Sequence, residues 1–171
     1  MLLVITGEVK SGKTEFLMKL VKKLPEMKIA GIIAPTIMKK GEILGYEALI
    51  LPYGVRVQHV ARKGEGERVG RRYVLLTGAK SQIVQHLKKP PDADIYVFDE
   101  FGPLELSGKG LLDVFNTFYR SGKDMVVVVR KSILDRFFDF IDKKEVTVVE
   151  VGEIDPVEMA QKLKKRKEVT R

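Results

Sequence analysis

The chain of 171 residues contains no cysteine, which excludes disulfide bonds, thiolate metal sites and a cysteine nucleophile. Its two histidines, His59 and His86, are too few and too scattered to indicate a histidine metal site. The longest apolar runs are far too short to span a bilayer, and the first residues lack the basic region of an export signal. We therefore expect a cytoplasmic protein without a membrane segment. A chain of this length predicts a single domain over 1–171.

Acidic residues are too few to balance the basic ones: the chain has 23 aspartates and glutamates and 31 lysines and arginines, which gives a formal net charge of +8. Much of the excess lies in clusters at Lys19/Lys22/Lys23, Lys39/Lys40, the arginines between 56 and 72, and Lys162 through Arg171. Positive potential favours a polyphosphate ligand. The sequence leaves nucleic-acid binding open, although the basic clusters are not interleaved with an aromatic stacking platform or a known nucleic-acid-binding motif.

The most informative stretch is the N-terminal one, where an apolar run at 2–6 leads into a glycine-rich loop and then into apolar residues at helical spacing. The loop reads G-x-x-x-x-G-K-[ST] in full, over Gly7, Glu8, Val9, Lys10, Ser11, Gly12, Lys13 and Thr14. Its glycines let the backbone curl so that N–H groups point inward, and the helix start adds its positive dipole end. We expect Lys13 to reach the β- and γ-phosphates of a nucleotide and the Thr14 hydroxyl to ligate Mg²⁺.

Apolar, strand-like runs alternate with helical segments along much of the chain. Strands are expected at 2–6, 29–34, 95–98, 125–129 and 146–151, and helices from near residue 13, over 80–89, 110–120 and 133–141, and from Pro156 behind an Asp155 N-cap. This alternation predicts a three-layer α/β fold with a mostly parallel sheet, whose ligands bind beyond the carboxyl ends of the strands. Between about 36 and 78, glycines separate short alternating runs, which predict an antiparallel β-hairpin excursion without a domain boundary.

A second informative stretch is Ile95–Glu100, in which four apolar residues precede Asp99. This is a Walker B arrangement, where a buried strand carries a carboxylate to its tip to bind Mg²⁺. Glu100 follows directly, and a carboxylate at that position polarises an attacking water, which turns phosphate binding into hydrolysis. Such an acidic strand end is common by itself. It indicates a metal and catalytic site here because a complete P-loop precedes it in the chain.

The run 99–105, Asp-Glu-Phe-Gly-Pro-Leu-Glu, resembles the signature of the thermophile-type nucleoside-triphosphatase family, to which the cancer-related nucleoside-triphosphatase also belongs. The early P-loop, the glycine-punctuated segment and the run Val69–Val74 are similar too. The resemblance implies a RecA-like P-loop core and Mg²⁺-dependent hydrolysis of ATP, GTP and other nucleoside triphosphates, with little base discrimination. It also implies phosphate contacts from 7–14, metal ligation by Thr14 and Asp99, and water activation by Glu100.

Three further assignments concern side chains around this acidic pair. Arg130 follows the apolar run 126–129, so it is expected at a strand tip where its charge stabilises the transition state; the alternative is a surface arginine that caps the sheet. Glu105 either orients the water or caps the following helix. The arginines of 36–78 are expected on a solvated hairpin face rather than as a lid.

The leading hypothesis for the function is a nucleoside-triphosphatase. A nucleotide or nucleoside kinase has similar loop chemistry but transfers the phosphoryl group to a second substrate, and Glu100 beside Asp99 favours water as the acceptor. A nucleotide-dependent switch or RNA-associated adaptor is the third hypothesis. The sequence makes no prediction of oligomeric state.

Overall fold

The computed structural model describes residues 1–142 and 145–170, so the last residue of the C-terminal basic cluster, Arg171, lies outside the described residues. The strands are β1 (Leu2–Gly7), β2 (Ile29–Ile33), β3 (Thr36–Lys39), β4 (Glu42–Leu51), β5 (Val55–Ala61), β6 (Gly66–Val69), β7 (Tyr73–Leu76), β8 (Ile95–Phe101), β9 (Asp124–Arg130) and β10 (Val146–Glu150). The helices are α1 (Lys13–Lys22), α2 (Thr77–Leu87), α3 (Pro103–Leu106), α4 (Leu112–Arg120), α5 (Leu134–Phe140) and α6 (Pro156–Thr170). A short 3-10 turn, Lys131–Ile133, precedes α5.

The ten described strands form one sheet in the order β10-β1-β9-β8-β2-β4-β5-β7-β6, with β3 paired to β4. From β10 to β2 every pairing is parallel, whereas from β2 onward every pairing is antiparallel. The predicted α/β fold with a parallel central sheet and an antiparallel part is confirmed. The segment 36–78 does not leave the sheet, however, because β4 pairs directly with β2 and extends it.

Two apolar clusters cover the two faces of the sheet. On β1, Leu3 and Ile5 pack with α1 and α6, whereas Leu2 and Val4 face the cluster that includes α2, α4 and α5. Successive side chains of a strand point to opposite faces, so a strand that is buried on both faces must be apolar throughout. All six residues of β1 are buried, and its first four, Leu2–Ile5, are continuously apolar.

The helix boundaries differ from expectation where glycines or turns intervene. Helix α4 begins at Leu112 instead of residue 110, since Gly110 has a left-handed φ of +64°. Helix α5 is one residue shorter than predicted at each end, because the 3-10 turn includes Ile133 and the helix ends at Phe140. The start of α6 is as predicted, with the Val157 N–H donating to Oδ1 of Asp155 at 2.7 Å.

Strands β2 and β8 approach each other closely at Gly31, which pairs with Val97. A Cβ atom at Gly31 would lie 2.0 Å from the Val97 carbonyl oxygen, and the φ of +132° is a conformation that other residues rarely adopt. The pairing of β2 with β8, the strand that carries Asp99, therefore requires glycine at this position.

We predict that Gly31→Ala lowers the free energy of unfolding by about 2–4 kcal/mol, because it adds a backbone clash and a strained φ. Urea denaturation measures the change. Gly78→Ala is the matched control: Gly78 is exposed in α2 with nothing within 4 Å of an added Cβ, so alanine there should raise stability by about 0.5–1 kcal/mol. Equal stability of Gly31→Ala and the wild type would contradict the close approach.

Candidate active site

The loop between β1 and α1 presents backbone N–H groups at a helix start. Gly12 precedes α1 with a left-handed φ of 87°, and among the described residues no side chain caps the helix. Lys10 also has a positive φ, 60°, and the Ser11 N–H donates to the Glu8 carbonyl at 3.1 Å, which closes the loop. The first N–H groups of a helix have no partner inside it and lie at its positive end. The loop is therefore built to hold an anion.

Lys13 is only 8% exposed and lies against the same loop. Its Nζ donates to the carbonyl oxygens of Glu8 at 2.6 Å and Gly7 at 3.3 Å. Burial lowers the pKa of Lys13, an effect that the nearby carboxylates of Glu100 and Asp99 oppose. The ammonium is thus bound to the loop and lies close enough to the acidic end of β8 to interact with its carboxylates.

Asp99 is buried near the end of β8, and its two carboxylate oxygens differ. Oδ2 accepts a hydrogen bond from the Ala34 N–H at 3.0 Å, whereas Oδ1 is buried without a hydrogen-bond partner in the described part of the chain. Burial raises the pKa of Asp99 to about 6, and the Ala34 N–H and the Thr14 side chain oppose that rise. A carboxylate oxygen left without a partner costs about 1–3 kcal/mol, which indicates a ligand position.

The donors at this point fit a magnesium ion. Mg²⁺ prefers oxygen ligands and is usually held by one or two protein side chains together with substrate phosphates. Asp99 Oδ1 and the Thr14 hydroxyl are such donors. No group of three or more His, Cys, Asp or Glu side chains able to hold a metal occurs in residues 1–142 and 145–170.

Glu100 and Arg130 form an ion pair at the carboxyl ends of neighbouring strands, with Arg130 Nε donating to Glu100 Oε1. Both residues act electrostatically on Lys13. The structure therefore brings together Lys13, Asp99, Glu100 and Arg130 at one edge of the sheet. Arg130 lies at the strand tip as expected, and it pairs there with the carboxylate that was predicted to activate water.

Glu105 has both carboxylate oxygens occupied by backbone groups. Oε2 accepts from the Gly102 N–H at 2.9 Å and Oε1 from the Leu111 N–H at 3.0 Å. Burial raises the pKa of Glu105, and these N–H donors oppose that rise. Of the two roles left open by the sequence, the contacts favour the cap, since Glu105 joins the start of α3 to the segment before α4.

A cleft of about 120 Å³ opens beside this edge of the sheet, with Asp99, Glu100 and Arg130 on its wall. Its far side comes from the antiparallel strands, including Tyr46 of β4 and His59 of β5. The position of His59 at the site is not predicted by the sequence. His59 and Val60 are consecutive buried residues, which breaks the alternation of β5, and the register shift between Tyr46 and Glu47 on the paired strand is the cause.

The hairpin arginines do not form a lid. Arg56 pairs with Glu47 and Arg62 with Glu42, and both pairs are exposed. Arg68 donates to a backbone carbonyl of its own turn. Among the described residues none of these arginines lines the cleft, which agrees with the predicted solvated face.

A family model described as NTPase matches residues 2–163, a range that includes the P-loop, the acidic end of β8 and Arg130. The chain belongs to the NTPase family. The family expected from the motif at 99–105, and the class of enzyme, a nucleoside-triphosphatase, are thereby confirmed.

This NTPase is similar to curated proteins named nucleoside-triphosphatase THEP1. The protein from Ignicoccus hospitalis is 32% identical over 138 residues, which cover 80% of this chain and 79% of that protein. The protein from Metallosphaera sedula is 32% identical over 133 residues, which cover 77% of this chain and 72% of that protein.

Two solved structures share the fold of this NTPase. One is the crystal structure of THEP1 from the hyperthermophile Aquifex aeolicus, with a TM-score of 0.67, 16% identity and coverage of 95% of this chain and 96% of the other. The other is the solution structure of a human cancer-related nucleoside triphosphatase, with a TM-score of 0.70, 18% identity and coverage of 99% and 98%. In addition, none of the helices described in this NTPase is both long and apolar enough to cross a membrane.

We predict that Glu105→Gln lowers the free energy of unfolding by about 1–3 kcal/mol, because the amide presents a donor to one of two buried backbone N–H groups. Urea denaturation measures the loss. Glu158→Gln is the control, since Glu158 forms an exposed pair with Lys162, and the stability lost in this variant should stay within about 0.5 kcal/mol. Unchanged stability of Glu105→Gln together with a large loss of phosphate release would instead assign Glu105 to water orientation.

Proposed function

We propose that this chain is an Mg²⁺-dependent nucleoside-triphosphate phosphohydrolase, which releases nucleoside diphosphate and phosphate from ATP, GTP and related substrates. One observation carries the proposal. The start of α1, which no described side chain caps, lies with Lys13 near the acidic pair of β8, so a candidate phosphate-binding loop and a candidate water-activating carboxylate lie at the same edge of the sheet.

In this proposal the loop 7–14 binds the triphosphate through its backbone N–H groups and the Lys13 ammonium. Thr14 and Asp99 hold the metal, which when bound would neutralise the charge that develops on the phosphates. Because these contacts concern phosphate and not the base, we infer little base discrimination.

Glu100 is the proposed general base. Its partly exposed carboxylate accepts a proton from the attacking water, while the ion pair with Arg130 holds that carboxylate at the strand tip. The Arg130 guanidinium adds positive charge at the same place, where it stabilises negative charge on the transferred phosphoryl group.

We further propose that the chain acts as one domain, since the strands of 36–78 hydrogen-bond into the same sheet as the P-loop strand. The expected location is the cytoplasm, where nucleoside triphosphates are supplied. Nucleic acid is not part of the proposal, because basic side chains of α6 pair with acidic ones: Lys164 with Glu26, Lys167 with Asp94 and Arg166 with Glu145.

We predict that Glu100→Gln lowers kcat for phosphate release by at least about 100-fold, because the amide cannot accept the proton of the water. The affinity for the Mg²⁺–triphosphate complex should stay within about threefold, because the loop and the metal ligands are intact. Phosphate release and nucleotide binding are measured with ATP and GTP, each with and without Mg²⁺.

Glu47→Gln is the matched control for this variant. Glu47 also pairs with an arginine, Arg56, but away from the P-loop, so its kcat should equal that of the wild type. Unchanged phosphate release by Glu100→Gln would remove the proposed base, and release that proceeds equally without Mg²⁺ would remove the proposed metal.

We predict that Lys13→Ala weakens triphosphate binding by at least about tenfold and leaves the affinity for the free nucleoside unchanged, because in the proposed complex the ammonium contacts the phosphates of the nucleotide and not its nucleoside. Isothermal titration with both ligands measures the difference. Lys19→Ala, an exposed lysine of the same helix, should change neither affinity. Equal losses for triphosphate and nucleoside in Lys13→Ala would contradict the assignment of the loop.

A further inference from the structure

The cleft beside the acidic end of β8 is lined by residues from two different parts of the sheet. Thr14 and Asp99 belong to the phosphate and metal site. The other group, the far wall, comes from the antiparallel strands and consists of Tyr46, His59, Val60, Val69 and Leu75. Glu100 and Arg130 line the same cleft, so the far wall adjoins the proposed base.

The order of the strands decides from which side the far wall meets the terminal phosphate. In the sheet β1 carries the P-loop, β9 and β8 follow, and β4, β5, β7 and β6 lie farther in the same direction. A phosphoryl acceptor attacks in line, from the side opposite the leaving diphosphate. If the loop holds the diphosphate, as the proposed function requires, the acceptor approaches from the side of the far wall.

The cleft is small for a site that accepts a second organic substrate. Its volume is about 120 Å³, whereas pockets for organic ligands usually measure about 300–1,000 Å³. The terminal phosphate takes up part of this volume, which leaves less room for the acceptor. A water molecule fits in the remainder, and a nucleoside does not.

Tyr46 has the largest side chain of the far wall, and its position is fixed by two contacts. The Nδ1–H group of buried His59 donates to the Tyr46 carbonyl oxygen at 3.1 Å, because a carbonyl only accepts hydrogen bonds. The Tyr46 ring packs edge-on against Tyr73, with the ring centroids 5.9 Å apart. The register shift that follows Tyr46 in β4 is an irregularity of the kind that re-aims a side chain.

The Tyr46 ring is also close to the proposed base. Burial raises the pKa of the Tyr46 hydroxyl, Tyr73 and Glu100 add to the rise, and Arg130 opposes it. The hydroxyl therefore lies within electrostatic range of the Glu100–Arg130 pair. Tyr46 thus occupies part of the cleft beside the carboxylate that is proposed to take the proton of the acceptor.

We propose that the far wall forms the acceptor pocket of the reaction, and that the bulk of the Tyr46 ring restricts the acceptor to water. The inference rests on the proposed function and names the side chain that selects the attacking molecule. It assigns the difference between a hydrolase and a phosphotransferase to the antiparallel strands and not to the P-loop.

The chemistry is the same for water and for an alcohol. The acceptor oxygen forms a bond to the terminal phosphorus, and the bond from that phosphorus to the bridging oxygen breaks, with its electron pair remaining on the diphosphate. The proton of the acceptor passes to Glu100. Water yields inorganic phosphate and an alcohol yields a phosphate ester, so the ratio of ester to phosphate measures which acceptors the pocket admits.

The test follows the products of ATP turnover by ³¹P NMR in water that contains methanol or glycerol. We expect Tyr46→Ala to raise the ratio of glycerol phosphate to inorganic phosphate at least about tenfold over the wild type, because it removes the bulk that excludes the larger alcohol. The ratio for methyl phosphate should rise by a smaller factor. An unchanged glycerol ratio, or equal increases for methanol and glycerol, would overturn the proposal.

Two control variants separate the bulk of the ring from its hydroxyl group and from general loosening of the fold. Tyr46→Phe keeps the ring, so its ester ratios should equal those of the wild type, and a glycerol ratio as high as in Tyr46→Ala would overturn the proposal. Tyr53→Ala removes a half-exposed ring that contacts His86. Because Tyr53 does not line the cleft, its ratios should also stay at the wild-type values.

Val69→Phe narrows the pocket and tests the proposal independently of the folding of Tyr46→Ala. It should lower kcat for phosphate release at least about tenfold, because the attacking water is displaced, and leave the affinity for Mg²⁺–ATP unchanged. A kcat equal to that of the wild type, or an equal loss of nucleotide affinity, would overturn the acceptor pocket.

The product ratio and the rate of phosphate release fail in different ways. A wild-type chain that releases no phosphate from any nucleoside triphosphate would defeat the proposed function itself. Normal phosphate release, with the same ester ratio in Tyr46→Ala and in the wild type, would leave the phosphohydrolase intact and overturn only the role of Tyr46.

Discussion

The parallel pairing of β9 with β1 on one side and with β8 on the other is the constraint on which the site depends. It places Gly7 opposite Arg130 and brings the end of β8 to the same edge. The register between β8 and β9 shifts between Asp99 and Phe101, so Glu100 is an extra residue in its strand. Such an irregularity re-aims a side chain, and here Asp99 stays buried while Glu100 reaches Arg130.

The buried charges of the site are a cost that the rest of the fold must offset. The carboxylate oxygen of Asp99 that has no partner among the described residues costs about 1–3 kcal/mol, against a net stability of about 5–15 kcal/mol for a domain. Two large apolar clusters, one on each face of the sheet, provide the hydrophobic stabilisation that offsets this cost. The partner missing at Asp99 is the kind of group that a metal ion bound with a nucleotide would provide.

The antiparallel strands connect to the site through a chain of polar contacts. Lys80 of α2 pairs with Glu67 of β6, and Glu67 accepts a hydrogen bond from the Gly110 N–H at 3.1 Å. A Cβ at Gly110 would lie 2.3 Å from Oε1 of Glu105, so only glycine allows that carboxylate its position. The far wall of the cleft is thus held to the acidic end of β8 and is not an independent hairpin.

Local patterns in the sequence determined the P-loop, the acidic strand end, the alternation of strands and helices and the Asp155 cap, because each depends on neighbours within a few residues of the chain. They also determined that Lys13, Asp99, Glu100 and Arg130 share an edge, since parallel strands align their carboxyl ends. Only the tertiary structure decided that Arg130 pairs with Glu100, that Glu105 binds backbone N–H groups, and that His59 and Tyr46 face the same cleft. Those contacts depend on strand register and on one-residue irregularities between segments far apart in sequence, and a shift of one residue sends a side chain to the opposite face of a sheet.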